Sequence, residues 1–156
     1  MIKFLRLDDR LIHGQVATTW IRTVGAGSVL EVDSRTASQD MLKYLQRMSC
    51  PKDIKLKILN AEDAVNAING PLKEKVFFLL VGNVKDLHTL VMGCDEIKSI
   101  DLGNLGYREG KENLINRLFV TAEERELLKE IGDKGVELYA QMLPSDTKDP
   151  VNPLLR

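Results

Sequence analysis

Between residues 76 and 82 the chain reads VFFLLVG, a continuously apolar run. Such a run suits a strand covered on both faces, as the central strand of a parallel sheet is. Parallel neighbours need long crossover connections, and the rest of the sequence has the spacing to supply them. Apolar runs at 2–7, 28–33, 96–102, 117–120 and 136–142 alternate with helix-like segments almost throughout, the pattern of βαβ units. IKLKIL at 54–59 alternates strictly, which places one of its faces toward solvent near a sheet edge. The expectation is an α/β fold: one domain over 1–156 with an open, mainly parallel β-sheet and helices on both faces.

The helical segments carry their own punctuation. Val16, Ala17, Trp20, Ile21 and Val24 fall on one arc of a helix at 15–24, with Gly25 and Gly27 as its stop and Trp20 in the core. Thr36 and Gln39 have capping-box spacing for a helix through Met41, Leu42, Leu45 and Met48 that ends before Pro51. Asn60 caps a short helix ending near Gly70, and Asn83 caps one ending at Gly93. After the loop GNLGYREGK, Thr121 and Glu124 form a second capping box for a helix that runs to Gly135. The tail DTKDPVNPLLR is expected to be loosely ordered or to pack on a neighbour, and a homo-oligomer is left open.

Composition narrows the function. A chain of 156 residues, 44% hydrophobic and 29% charged, can bury a sizeable core. A net charge of -1 gives no long-range field of the kind a general nucleic-acid binder uses. The N-terminus MIKFLRLDDR meets charges too early for a signal peptide, and no apolar run is long enough to span a bilayer, so the chain is expected to be cytosolic. Cys50 and Cys94 lack metal-ligand or redox spacing and read as core residues. No metal site or cofactor is implied.

The informative stretch is RLDDRLIHGQV at 6–16, which places His13, one of only two histidines, between a charged cluster and a glycine. In open parallel sheets the ligand crevice lies at the carboxyl ends of the strands, where His13 falls. A phosphoryl group there would meet helix-start N–H groups, with Gly14 and Gln15 in that position, and the guanidinium fork of Arg10. A neutral imidazole nitrogen attacks phosphorus without first losing a proton, and the labile N–P bond suits a relay. Asp8 and Asp9 are candidates for orienting Arg10 or the imidazole; the plainer alternative is a solvated loop with a surface ion pair. His88, inside a helix without Arg or Gly nearby, reads as a surface or boundary residue.

These residues, together with IDLGNLG at 100–106 and TAEERELLKEIGDKGVELYAQMLP at 121–144, make the chain resemble the IIB component of the mannose, fructose and sorbose class of the bacterial phosphoenolpyruvate-dependent sugar phosphotransferase system. The resemblance implies a mainly parallel sheet flanked by helices, with a first-loop histidine that accepts phosphate from a IIA protein and passes it to sugar. It implies that His13 is the acceptor, Arg10 the loop arginine, and Asp8, less certainly Asp9, the nearby aspartate. It implies a protein-N(pi)-phosphohistidine–sugar phosphotransferase working peripherally on membrane IIC and IID components. DSRTASQD at 33–40 and the aspartate opening DLGNLG depart from the family's usual pattern and bear on the contacts around the loop.

Three rivals remain. A receiver-like domain needs an acceptor aspartate after strand three, where Asn60 stands, and a lysine after strand five, where none follows Leu102. A non-enzymatic anion- or ligand-binding regulatory module could keep the scaffold without the chemistry. Cysteine chemistry, as in other IIB classes, needs a cysteine close after the first strand, and neither Cys50 nor Cys94 is there.

Overall fold

Phe77–Val81 forms strand β4, and all five of its residues are buried, as its uninterrupted apolar run requires. The computed structural model describes residues 1–14 and 16–156, with the side chain of Ala17 left aside. On either side of β4 run β1 (Ile2–Asp8) and β2 (Ser28–Val32), both parallel to it. Beyond them lie β3 (Lys55–Leu59), β5 (Ser99–Asn104) and β8 (Glu137–Ala140). A short β9 (Asp149–Pro150) pairs antiparallel with β8. The sheet order is β3-β2-β4-β1-β5-β8-β9, so the alternating strand β3 does sit at an edge.

Helices cover both faces. Leu5, Leu7, Leu30, Leu79 and Val81 pack against α4 (Ala61–Asn69), α5 (Val84–Gly93) and α6 (Ala122–Asp133) through Ala64, Ile68, Leu87, Leu90, Leu128 and Ile131. On the other face Val29, Phe78 and Leu80 meet Val16, Trp20 and Ile21. Asn60 and Asn83 accept hydrogen bonds from the amides of Asp63 and Asp86, and Thr121 and Glu124 close their reciprocal box. These are the caps the sequence spacing predicts.

Other expectations need correction. The segment at 15–24 is not one α-helix: a π turn at Val16–Trp20 leads into α1 (Ile21–Val24), which Gly25 ends at φ 71°. Gln15, and the side chain of Ala17, lie outside the described residues. Thr36 does not cap the long helix, because its hydroxyl donates to Asp33 at 2.7 Å inside the short α2 (Ser34–Ala37). Helix α3 (Asp40–Ser49) then starts separately at Gln39, without a side-chain cap. The expected strand at 96–102 is shifted to Ser99–Asn104, and β6 (Glu112–Ile115), not expected, pairs antiparallel with β7 (Leu118–Val120). The tail is not loose, because it packs on its own chain. Asn152 accepts from the Leu138 amide at 2.7 Å and donates to the Val136 carbonyl, and Leu155 is buried.

One core position breaks the apolar rule. Glu31 is fully buried in β2 between Ile58 of β3 and Leu80 of β4, and neither carboxylate oxygen has a hydrogen-bond partner among the described residues. Burial, reinforced by the Asp33 charge and opposed by Arg47, pushes its pKa up to about 8. The folded chain keeps this proton where the unfolded chain has released it, so Glu31 makes stability fall as pH rises from about 4.5 to about 8. Glu31→Gln keeps the shape of the protonated acid and removes the titration. It is expected to raise unfolding free energy at pH 7 by about 3 kcal/mol and to flatten that slope, as urea titrations across this range will show.

Candidate functional site

The central strand β1 carries the candidate site at its carboxyl end. Its connection onward runs to the face lined by Trp20, whereas β4 leads into α5 on the opposite face, so the two chain paths part beside β1 at the strand ends, the place where open parallel sheets bind ligands. Asp8, the last residue of β1, is fully buried. Its backbone carbonyl accepts from the Leu11 amide at 3.0 Å, closing a tight turn over Asp9 and Arg10.

Within that turn Asp8 grips Arg10. Oδ1 accepts from the Arg10 amide and Nε, both at 3.0 Å, and Oδ2 accepts from Nη2 at 2.9 Å. This two-pronged contact fixes the guanidinium plane and raises the pKa of Arg10 further, while Nη1 makes no hydrogen bond among the described residues. The arginine side chain is one-third exposed, so part of it reaches solvent. Asp9 does different work. Its carboxylate accepts from Asn104 Nδ2 at 2.8 Å and the Gly106 amide at 2.7 Å, tying the loop to the end of β5.

Leu11 adopts a left-handed backbone, φ 59°, which costs a branched residue about 1–2 kcal/mol. Burial of its side chain offsets that cost. The space comes from Gly82, where a Cβ would stand 2.8 Å from Leu11 Cδ2 and 2.7 Å from Asp33 Oδ1. The turn aims the Leu11 carbonyl at His13, whose Nδ1 lies 2.8 Å away. His13 is half-buried, and its Nε2 is shielded from solvent without a partner among the described residues. Gly14 is exposed with open space around its Cα, and its carbonyl accepts from the Thr18 hydroxyl at 2.6 Å. His13, Arg10, Asp8, Asp9 and Gly14 thus share one loop, while Gln15 is outside the described residues.

Beneath the loop lies a charge network that the sequence reading missed. Arg6 is fully buried and donates to Asp101 Oδ2 at 2.5 Å, to the Gln141 carbonyl at 2.8 Å and to Asp8 Oδ2 at 3.3 Å. Its guanidinium stacks 4.8 Å over Trp20, and it lies flat on β5 because residue 103 is Gly: a Cβ there would fall 2.1 Å from Cζ. Burial pushes Asp101 up to about 6 although Arg6 opposes the shift. The available signal was the pair of charges placed mid-strand, Arg6 in β1 and Asp101 in β5, which are direct register partners. The segment after β2 proves structural: Asp33 accepts from Asn83 at 2.7 Å, and Ser34 donates twice to Asp86, binding the ends of β2 and β4.

The other candidates stand apart. His88 on α5 lies 3.4 Å from Glu130 of α6, a boundary contact. Cys50 and Cys94 are free and buried, and burial pushes the Cys94 thiol up to about 11.

An open, mainly parallel sheet covered by helices on both faces, with an imidazole and an anchored guanidinium in the loop after its central strand, defines an α/β protein with its candidate site at the carboxyl end of the sheet. The chain belongs to the phosphotransferase-system family described as "PTS system sorbose subfamily IIB component", which it matches over residues 2–156. It is 29% identical over 156 residues to the PTS system fructose-specific EIIB component of Bacillus subtilis (strain 168), covering 99% of this chain and 96% of that one. It is 28% identical over 151 residues to the N-acetylgalactosamine-specific phosphotransferase enzyme IIB component 1 of Escherichia coli (strain K12), covering 96% of each. Its structure superposes on the crystal structure of the IIBSor domain of the sorbose permease from Klebsiella pneumoniae with TM-score 0.92 and 26% identity, over 99% of this chain and 96% of that one. Its role is therefore that of a phosphotransferase component in sugar uptake.

Proposed function

We propose that residues 1–156 act as one phosphoryl-carrier unit, with His13 as the acceptor. His13 takes phosphate from a IIA protein and yields it to sugar brought by the membrane IIC and IID components. The observation that carries this reading is the Arg10 guanidinium held by buried Asp8 in the same loop, three residues from the imidazole. In the forward step a ring nitrogen of His13 attacks the phosphorus of the donor's phosphohistidine in line. The new N–P bond forms as the donor's breaks, and the donor imidazole leaves as a neutral base. Arg10 and the amides around Gly14 and Gln15 stabilise the equatorial oxygens. Asp8 and Asp9 hold the loop in register.

As a protein-N(pi)-phosphohistidine–sugar phosphotransferase the chain carries phosphate on Nδ1, which in the resting loop faces the Leu11 carbonyl. The carbonyl only accepts, so the resting Nδ1 carries a hydrogen; before attack the ring turns from that contact, Nδ1 gives up its proton to solvent and Nε2 takes one, which frees the Nδ1 lone pair. No helix among the described residues is long and apolar enough to cross a membrane, which fits a cytoplasmic carrier that visits the transporter peripherally.

The test is incubation with phosphoenolpyruvate, the general phosphotransferase proteins and IIA. One acid-labile, alkali-stable phosphate per chain is expected, placed by peptide mapping within the first loop and by nitrogen NMR on Nδ1. Label that resists acid, or that maps to Cys50 or Cys94, overturns the assignment, and the absence of label in a working relay favours a purely anion-binding module.

Arg10→Lys supplies a second measurement. A single ammonium cannot grip both Asp8 oxygens and still offer a fork to phosphate. Single-turnover transfer is expected to slow about 10- to 100-fold, with unfolding stability changed by less than about 1 kcal/mol. Equal rates for variant and parent remove the clamp from the mechanism.

A further inference from the structure

Helix α3 wears its apolar side chains on the outside. Met41, Tyr44, Leu45 and Met48 are 67%, 58%, 50% and 63% exposed, and their spacing puts them on one face. The half-buried side is Leu42, Lys43 and Gln46, and no side chain of the helix is fully buried. A helix belonging wholly to a core shows the opposite arrangement, so this stripe has the character of a partner surface. Its location is specific. Gln46 Oε1 accepts from the Ile12 amide at 2.8 Å, and its Nε2 donates to the Ile12 carbonyl at 3.4 Å, so α3 is bonded to the residue preceding His13. Around it Arg35, Arg47 and Lys52 are exposed cations that form no salt bridge among the described residues, while Asp40, the exposed acid that opens the helix, is paired with Lys43 at 3.4 Å.

We propose that the outward face of α3 is the docking surface for the IIA phosphoryl donor, which presents it with an apolar patch rimmed by acidic side chains. This rests on the carrier reading of His13. A donor must bring its phosphohistidine against His13, and a specific interface covers about 800 Å² on each partner, a disc of about 16 Å radius. Met41 to Met48 spans about 10 Å of helix, short against that footprint, and the helix is bonded to the loop that carries His13. Methionine and leucine give an adaptable surface suited to a partner that must leave again.

Charge selects the donor over the other occupants. Cytoplasmic loops of membrane proteins carry an excess of Lys and Arg, which the rim of Arg35, Arg47 and Lys52 repels. A second copy of this chain on a two-fold axis brings the same cations face to face. An acidic-rimmed donor meets neither obstacle, and long-range attraction speeds its arrival.

The experiment uses the full chain and the system's own IIA protein. In Leu45→Lys/Met48→Lys the donor concentration for half-maximal transfer is expected to rise at least tenfold. The rate at saturation and the final label are expected to stay within twofold of the parent. Arg47→Glu is expected to weaken docking and reduce its salt dependence. Titration of the ¹⁵N-labelled parent with unphosphorylated IIA reads docking separately from transfer, and shifts at Tyr44, Leu45 and Met48 are expected. Absence of those shifts, or an unchanged half-maximal concentration in a parent that accepts phosphate, overturns the surface while leaving the acceptor intact. Failure of the parent to accept phosphate, with the shifts present, overturns the carrier reading and leaves the surface standing. If the double variant instead loses self-association in sedimentation, or binding to phosphatidylglycerol vesicles, with docking unchanged, the face belongs to a second copy or to lipid and the proposal is wrong.

Discussion

His13→Ala is expected to take up no phosphate from phosphorylated IIA, while its urea midpoint stays close to the parent's. Among the described residues the imidazole makes one hydrogen bond, to the Leu11 carbonyl, so its loss costs about 1 kcal/mol of stability. Its chemical loss is expected to be complete, because neither the second histidine nor either cysteine lies in the loop. His88 is on α5 against Glu130, and both thiols are buried, with Cys94 protonated up to about pH 11. Label counted on gel-purified chains, alongside a denaturation curve, separates the two effects. Undiminished label in the variant moves the acceptor elsewhere.

The second large effect is expected inside the sheet. Arg6→Leu leaves the Asp101 carboxylate buried without a counter-charge and Asp8 with Arg10 alone, and breaking such a buried pair costs about 3–5 kcal/mol. The cost reaches the candidate site as well, since Asp8 serves both Arg6 and Arg10 through Oδ2. Transfer should therefore slow even at temperatures where the variant is folded. Removing the charge at both ends, as in Arg6→Leu/Asp101→Leu, is expected to recover part of the lost stability, because Asp8 keeps Arg10 and no carboxylate of the network is then left buried without a counter-charge. Urea unfolding of the three chains measures this. A loss below about 1 kcal/mol for the single change would show that the network carries little energy.

The sequence disclosed the scaffold where local chemistry decides structure. β4 was visible because burial on both faces demands an uninterrupted apolar run, and Asn60, Asn83 and Thr121 were visible because capping acts across three residues. The loop proposed to carry phosphate was legible as a string of residue types, although not as geometry: nothing local says that Leu11 turns left-handed or that Gly82 makes room for it. Thr36 misled because the same hydroxyl had two possible owners, and Asp33 won it. Arg6 and Asp101 stand 95 residues apart and meet only because the topology sets β1 beside β5. Periodicity in α3 showed which residues share a face and could not show which way the face points.

Helix α3 contributes no fully buried side chain to the fold. Mutations along its outer row are consequently nearly free of folding penalty, and selection can rewrite that row quickly. A bacterium running several sugar uptake routes needs each relay to ignore the others' traffic. A freely editable strip beside a fixed chemical loop lets duplicated genes diverge in whom they answer while keeping one reaction unchanged.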